Sequence, residues 1–491
     1  NETKRRAMNG RESECRSMSD EAGEPTRGTP RSKGRHRNTE PLEGKMTESQ
    51  TFESISTKLE RIAKMAKGSP QMAFRTLAHL IDMNWLREAY RRTRKDGAAG
   101  VDGQSAQEYA MKLEENLQSL LNRAKAGTYR APPVRRVHIP KGSGSETRPI
   151  GIPTFEDKVL QRAVAMALEA IYEQDFLECS YGFRPGRSAH NALDALQNQA
   201  VLMGGGWILE LDVRKFFDAL DHGHLREILR RRVHDGVLMR LIGKWLNAGV
   251  LEDGSISYPE TGSPQGGVIS PLLANIFLHE VLDTWFERDV QPRMSGKARL
   301  FRYADDAVLL FANEEDACRV LDVLPKRFGR YGLSLHPEKT RLVEFRRPDR
   351  RPPRSGTQRP GTFDLLGFTH FWGVSRSRKW IVKRKTAKDR FRRAIHRTAE
   401  WCRRHLHDPV KTQWQALSSK LRGHFGYYGI TGNFQAIARY REQVCRVWQK
   451  WLNRRSQRVS MRWEQMQKLL KRYPLPVPRI RSPMLPRAAN P

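Results

Sequence analysis

Three aspartates carry the strongest chemical signal in this chain. Asp305 and Asp306 are adjacent in Phe301-Arg302-Tyr303-Ala304-Asp305-Asp306-Ala307-Val308-Leu309-Leu310-Phe311, where apolar, β-favouring residues flank a polar break. The pattern predicts a tight hairpin with both acids at its tip. Neighbouring carboxylates repel, and a divalent cation is their natural compensation. An arbitrary Asp-Asp pair would be a solvated turn, but a third acid argues otherwise. Asp212 ends the mostly apolar run Trp207-Ile208-Leu209-Glu210-Leu211, which predicts a buried strand. Alone, Asp212 could equally be a helix cap. Together the three are a minimal ligand set for two Mg2+ ions, which prefer hard oxygen ligands. Two such ions stabilise the attacking and leaving oxygens of an in-line displacement. The chemistry implied is nucleotidyl transfer, with a 3′-hydroxyl attacking an α-phosphate.

A triphosphate also needs cations. Lys141 and Arg148 flank the glycine turn Lys141-Gly-Ser-Gly-Ser-Glu146, between strand-like segments 134–140 and 147–153. This reads either as a mobile flap whose cations meet a triphosphate, or as an ordinary hairpin with solvated cations. Phe216 and Phe217 follow Asp212 closely. A bulky ring there could lie under the sugar and exclude a 2′-hydroxyl, and both qualify. The loop 262–267, with Pro264-Gln265-Gly266 at its centre, leads into an apolar helix over 268–278 with Pro271 in its first turn. Its glycines permit close approach of backbone to a ligand, or simply start the helix.

The elements that must hold these residues alternate between helix and strand. Phe52, Ile55, Leu59, Ile62 and Met65 repeat at helical spacing. Further helices are predicted over 71–94, 106–126, 155–174 and 314–328, with a loop at 96–103. Strands are predicted over 342–345 and 363–368, joined by a basic, Pro-rich loop. Residues 1–50 have almost no large apolar side chains and read as a disordered basic extension.

The 491 residues have room for two to four domains. Lys and Arg number 88 against 54 Asp and Glu, a net charge of +34, which predicts a polyanionic partner. No apolar run approaches the roughly 18 residues of a membrane span, and the charged start does not resemble a signal peptide. Nucleic acid is therefore the expected partner, with no membrane, in a soluble cytoplasmic protein. The five scattered cysteines form no C-x-x-C pair, which argues against a disulfide framework or zinc ribbon. They read as reduced thiols, mostly in cores. Residues 371–491 hold 30 Lys and Arg against 5 Asp and Glu. Helices predicted there over 387–405, 410–425 and 434–455 interleave aromatics with cations, which suits phosphate contact and base stacking. Arg390, Arg393, Arg397, Arg422, Tyr427 and Tyr428 are the expected RNA contacts. The final residues, from Lys471, read as an extended Pro-rich tail.

With these pieces in order, residues 72–473 resemble the bacterial group II intron-encoded reverse transcriptases with maturase activity. The resemblance rests on Asp96-Gly-Ala-Ala-Gly-Val-Asp-Gly103, Arg148-Pro-Ile-Gly-Ile-Pro-Thr154, Ser180-Tyr-Gly-Phe-Arg-Pro-Gly-Arg-Ser188 and Leu211-Asp212 with Phe216-Phe217-Asp218. It continues through Ser263-Pro-Gln-Gly-Gly-Val-Ile-Ser-Pro-Leu272, Tyr303-Ala-Asp-Asp306, Leu335-His-Pro-Glu-Lys-Thr340 and Leu366-Gly-Phe368. It implies an α+β right-hand polymerase: N-terminal helices and fingers over 51–206, a palm with an antiparallel sheet over 207–372, and an all-α basic thumb, the maturase X region, over 373–470. Asp212, Asp305 and Asp306 would bind two Mg2+ ions, and Lys141, Arg148 and Gln265 would contact the incoming nucleotide. Leu366, Gly367 and Phe368 would line the primer side, and Tyr427 and Tyr428 resemble the tyrosine-bearing segment of the X region. Intron RNA, a DNA target and primer, and dNTPs would be the partners, in splicing and retrohoming. No paired cysteines and histidines follow Trp463, so second-strand cleavage is not expected. Alternatives are a catalytically idle splicing factor and a domesticated reverse transcriptase of defence or repair.

Overall fold

Ser54 accepts a hydrogen bond from the Thr57 amide and starts the first helix, α1 (Ile55–Gly68). The computed structural model describes residues 54–140, 147–252, 254–258, 261–262, 266–348, 361–375, 377–455 and 460–480. The predicted extension over 1–50, Lys141, Gln265 and most of the basic loop before residue 361 lie outside the described residues. In α1, Ile62 and Ala66 face the core, whereas Met65 is exposed.

The long helix predicted over 71–94 is much shorter. Phe74 bridges to Val233, a 3-10 turn covers Ala78–Leu80, and only α2 (Met83–Arg92) is helical, begun by Asp82 as its cap. The helix predicted over 106–126 is two, α3 (Ala106–Ala110) and α4 (Leu113–Ala126). Across the break, the Asn116 side-chain amide donates to the Tyr109 carbonyl, 3.0 Å away. Strands β1 (Val134–Pro140) and β2 (Thr147–Ile152) form an antiparallel hairpin, followed by α5 (Phe155–Asp175) and α6 (Ala189–Met203).

The central sheet starts with β3 (Trp207–Leu211). Three helices follow, α7 (Phe216–Ala219), α8 (His222–Arg230) and α9 (Gly236–Leu246). Strands β4 (Val250–Glu252) and β5 (Ser255–Ser257) join the first hairpin in a sheet of order β2-β1-β4-β5. Next comes α10 (Ser270–Leu278), which continues in wider π-helical turns to Val290. Then β6 (Ala298–Tyr303), β7 (Asp306–Phe311), α11 (Glu314–Gly329) and β8 (Arg341–Glu344) complete a central sheet of order β6-β7-β3-β8, all antiparallel. Both faces of this sheet are covered, so its strands read as continuous apolar runs. Along β7, Ala307, Leu309 and Phe311 pack into one core with α5 and α10. Val308 and Leu310 pack into a second core with Phe345, Phe363 and Phe368.

The strand predicted over 363–368 is divided. β9 (Phe363–Leu365) turns at Leu366-Gly367 into β10 (Phe368–Val374), which pairs with β11 (Trp380–Thr386). Leu366 and Gly367 both have positive φ, 51° and 80°, the backbone of a two-residue hairpin turn. The expected boundary at residue 372 therefore falls inside β10. Beyond it, α12 (Lys388–Arg404), α13 (Val410–Tyr428), α14 (Phe434–Leu452) and α15 (Trp463–Arg472) enclose a third core around Leu417, Leu421, Ile437 and Trp448. The described part of the Pro-rich tail is docked rather than free. Leu475 is buried, and Trp414 and Arg441 donate to the Pro474 and Pro476 carbonyls. Among the described cysteines, Cys402 and Cys445 are buried free thiols, as expected, while Cys318 is exposed. The architecture is α+β, and no described helix is long and apolar enough to cross a membrane.

Candidate active site

The register of the central sheet brings the acids together. Tyr303 pairs with Asp306 across the β6–β7 turn, and Leu211 of β3 pairs with Ala307 of β7. One step further along this ladder sets Asp212 opposite Asp306, and directly opposed residues of an antiparallel pair share a face. Asp305 lies in the turn itself, where Ala304 takes a φ of 56°, an unusual conformation for a residue with a Cβ. Such a turn persists only where its surroundings hold it.

The surroundings are specific. Arg302, 1% exposed, donates to both carboxylate oxygens of the fully buried Asp283 at 2.7 and 2.5 Å. It also reaches the Asn275 amide oxygen at 2.9 Å, the Ser180 hydroxyl at 2.8 Å and the Ala304 carbonyl at 3.1 Å. One guanidinium thus ties the turn to α10, to its continuation and to the Ser180 motif. Gly182 of that motif lies against the turn: a Cβ there would sit 2.4 Å from the Ala304 nitrogen. Asn275 completes the arrangement by donating to the Gly182 carbonyl at 2.7 Å. None of Ser180, Asn275, Asp283 or Arg302 stood out as a site residue in the sequence. The available signal was an arginine next to Phe301 in a largely apolar strand, since a buried arginine requires partners.

Asp212 is held by the 335–340 motif. Its carbonyl accepts from the His336 amide at 2.8 Å, Thr340 lies beside its backbone, and the Lys339 ammonium is 3.6 Å from its carboxylate. Arg148 and Arg390 both act favourably on the Asp306 charge. Arg148, expected at the triphosphate, and Arg390, expected as an RNA contact, thus both belong to the surroundings of the acids. Phe216 is buried against Phe277, while Phe217 is only half-buried, so Phe217 alone of the pair keeps ring surface for a ligand. Gly266 packs on the backbone of β2, a Cβ there being 2.5 Å from the Gly151 carbonyl. The Gln161 side-chain oxygen accepts from the Val268 amide at 2.7 Å and fixes the far side of that loop.

The Leu366-Gly367 turn meets α13. Tyr427 donates its hydroxyl to the Leu366 carbonyl at 2.7 Å, Tyr428 lies over Gly367, and both rings pack on Phe368. The two tyrosines are therefore engaged at this junction rather than held out to solvent. Arg393 pairs with Asp389 at 3.4 Å, and Arg397 and Arg422 are exposed cations. Phe183, at a φ of 54° and 57% exposed, places its ring 6.1 Å from Tyr303, an apolar surface beside the acids that the sequence reading did not single out.

The electrostatics match a site prepared for cations. Burial, then the charges of Asp305 and Asp212, pushes the Asp306 carboxyl up to about 6. Burial also raises Asp305. Asp306 nonetheless presents surface to solvent. Among the described residues no three His, Cys, Asp or Glu side chains close into a metal cage. Mg2+ does not require one, because substrate phosphates and water commonly complete its shell around one or two carboxylates. The hard-oxygen donor set fits that ion.

A family model for reverse transcriptase (RNA-dependent DNA polymerase) matches residues 139–370, which include all three aspartates. Similarity to the group II intron-encoded protein LtrA of Lactococcus lactis is 29% identity over 456 residues, covering 77% of this chain and 74% of LtrA. Protein YkfC of Escherichia coli is 40% identical over 257 residues, 51% of this chain and 66% of that protein. The nuclear intron maturase 2, mitochondrial, of Arabidopsis thaliana is 30% identical over 177 residues, 28% of this chain and 24% of that protein. The chain belongs to the family of group II intron-encoded reverse transcriptases and maturases.

Proposed function

We propose that this chain is an RNA-directed DNA polymerase that binds group II intron RNA, assists its splicing and copies it during retrohoming. The observation that carries the reading is the register that sets Asp212 opposite Asp306, with Asp305 in the adjoining turn and Arg148 and Arg390 acting on Asp306. In this reading the central sheet is the palm, the β1–β2 hairpin belongs to the fingers, and the basic helices from α12 onward form the thumb. Asp212, Asp305 and Asp306 would hold two Mg2+ ions, which supply charge stabilisation to the attacking and leaving oxygens.

The remaining roles fall to this chain's own side chains. Arg148, with Lys141, binds the triphosphate, and a guanidinium suits bidentate contact with phosphate oxygens. The Phe217 ring lies beneath the sugar and disfavours a 2′-hydroxyl, while Phe216 supports it from the core. Gln265 contacts the nucleotide. Leu366, Gly367 and Phe368, backed by Tyr427 and Tyr428, guide the primer. Arg393, Arg397 and Arg422 meet RNA phosphates on the thumb.

Primer extension tests the reading. The purified full chain, given an RNA template, a DNA primer and dNTPs, extends the primer in Mg2+ and stops in EDTA. Splicing assistance without any extension would instead make it an idle splicing factor.

A further inference from the structure

A groove of about 630 Å³ opens between α8, α9, the loop after α4 and the β5 end, apart from the acids. Arg130, Arg226, Arg230, Arg240 and Lys244 line it, and no carboxylate lines it among the described residues. Arg226 and Arg230 are one helical turn apart on α8, as are Arg240 and Lys244 on α9, so two cationic stripes face one space. Lys244 donates to the Gly127 and Tyr129 carbonyls at 2.7 and 2.5 Å and fixes the loop that carries Arg130. None of the four arginines forms an ion pair with a described carboxylate. Arg226 lies across α9 at Gly243, where a Cβ would meet its guanidinium at 3.4 Å. Like charges gathered without counter-charges destabilise a free protein, and a polyanion removes that cost.

The rim supplies a second feature. Tyr258 is 72% exposed and lines the same groove. An exposed aromatic beside a row of cations offers a stacking surface to an unpaired base, whereas the bases of a duplex are stacked on one another. The groove is also distinct from the catalytic cleft. The cations that act on Asp305 and Asp306 are Arg148, Arg302 and Arg390, and none lines it. Its back wall is nevertheless rigidly joined to the nucleotide-side loop. Trp245 of α9 donates to Asp157 at 2.6 Å, Gln161 donates to the same carboxylate at 3.0 Å, and Gln161 holds Val268.

We propose that this groove is a separate binding site for single-stranded nucleic acid, gripping phosphates with Arg226, Arg230 and Arg240 and stacking a base on Tyr258. The proposal rests on the reading above only in taking the polyanion to be nucleic acid.

The test is equilibrium binding of a fluorescein-labelled single-stranded RNA to the full chain over a range of salt concentrations. Neutralising three phosphate contacts by Arg226→Ala/Arg230→Ala/Arg240→Ala lowers the slope of log affinity against log salt by about 2, since each contact to a single strand contributes roughly 0.7. Tyr258→Ala weakens binding without changing the slope. The triple Arg→Lys variant retains the slope and controls for folding. Binding and slope unchanged in the triple alanine variant overturn the proposal, as does a loss confined to a duplex RNA probe. Asp306→Asn separates the two readings: it abolishes primer extension and leaves single-strand affinity intact. A wild-type chain that extends no primer, yet loses the slope in the triple variant, defeats the polymerase reading and upholds the groove.

Discussion

At the scale of single residues, the site is a balance of charges that the fold itself leaves unresolved. Asp306 carries a carboxyl raised from 3.8 to about 6, chiefly by burial and then by Asp305 and Asp212. The folded protein therefore holds a proton that the unfolded chain releases earlier. The penalty for the charged form is absent below 3.8 and fully present above about 6, so this contribution to stability is lost as pH rises through that window. Asp306→Asn should raise the melting temperature in EDTA at pH 7.5 and raise it less at pH 5, as followed by circular dichroism. Because a metal competes with that proton, the Mg2+ midpoint for primer extension should rise when pH falls from about 7.5 to 5.5. Arg302 presents the opposite case, a buried cation whose partner would be stranded by its loss. Arg302→Met should destabilise the fold by about 3–5 kcal/mol in chemical denaturation, because Asp283 would remain buried and unpaired. The double change Arg302→Met/Asp283→Leu should recover much of that stability but not polymerisation, since the Ala304 carbonyl still loses its donor.

At the scale of elements, close backbone contact places the motifs. The Ser180 motif is a brace: Gly182 lies too near the Ala304 backbone to admit a methyl group. Gly182→Ala should leave the chain folded by circular dichroism and lower the primer-extension rate by about tenfold or more, since small misplacements of reacting groups are costly. Much of this level was legible in the sequence. The apolar runs on either side of Asp305-Asp306 yield the hairpin, and the basic helices α12, α13 and α14 appear close to their predicted spans. What was not legible depended on distant partners. The Phe74 bridge to Val233 overrides helical periodicity before α2. The two positive φ angles at Leu366-Gly367 divide what reads as one strand. Arg302 finds Ser180, Asn275 and Asp283 only once separate segments converge, and a charge alone does not announce its partners.

At the scale of the whole chain, a net charge of +34 surrounds a small cluster of acids. The imbalance predicts attraction to polyanions. It does not say which cations serve which surface. Arg390 comes from the most basic segment yet acts on Asp306, and the cations beside Tyr258 come from helices that carried no motif. The docked residues around Leu475 also belong to this level, because a Pro-rich composition suggests a free tail while Trp414 and Arg441 hold it. The central claim is that the three aspartates perform nucleotidyl transfer on a scaffold that binds RNA independently of them. The most direct measurement is single-turnover extension of a DNA primer on an RNA template by Asp212→Asn, Asp305→Asn and Asp306→Asn at saturating Mg2+, with RNA affinity measured in parallel. The account predicts a loss of about 10³-fold or more in each variant with affinity essentially unchanged. Extension near the wild-type rate in any of the three would contradict it.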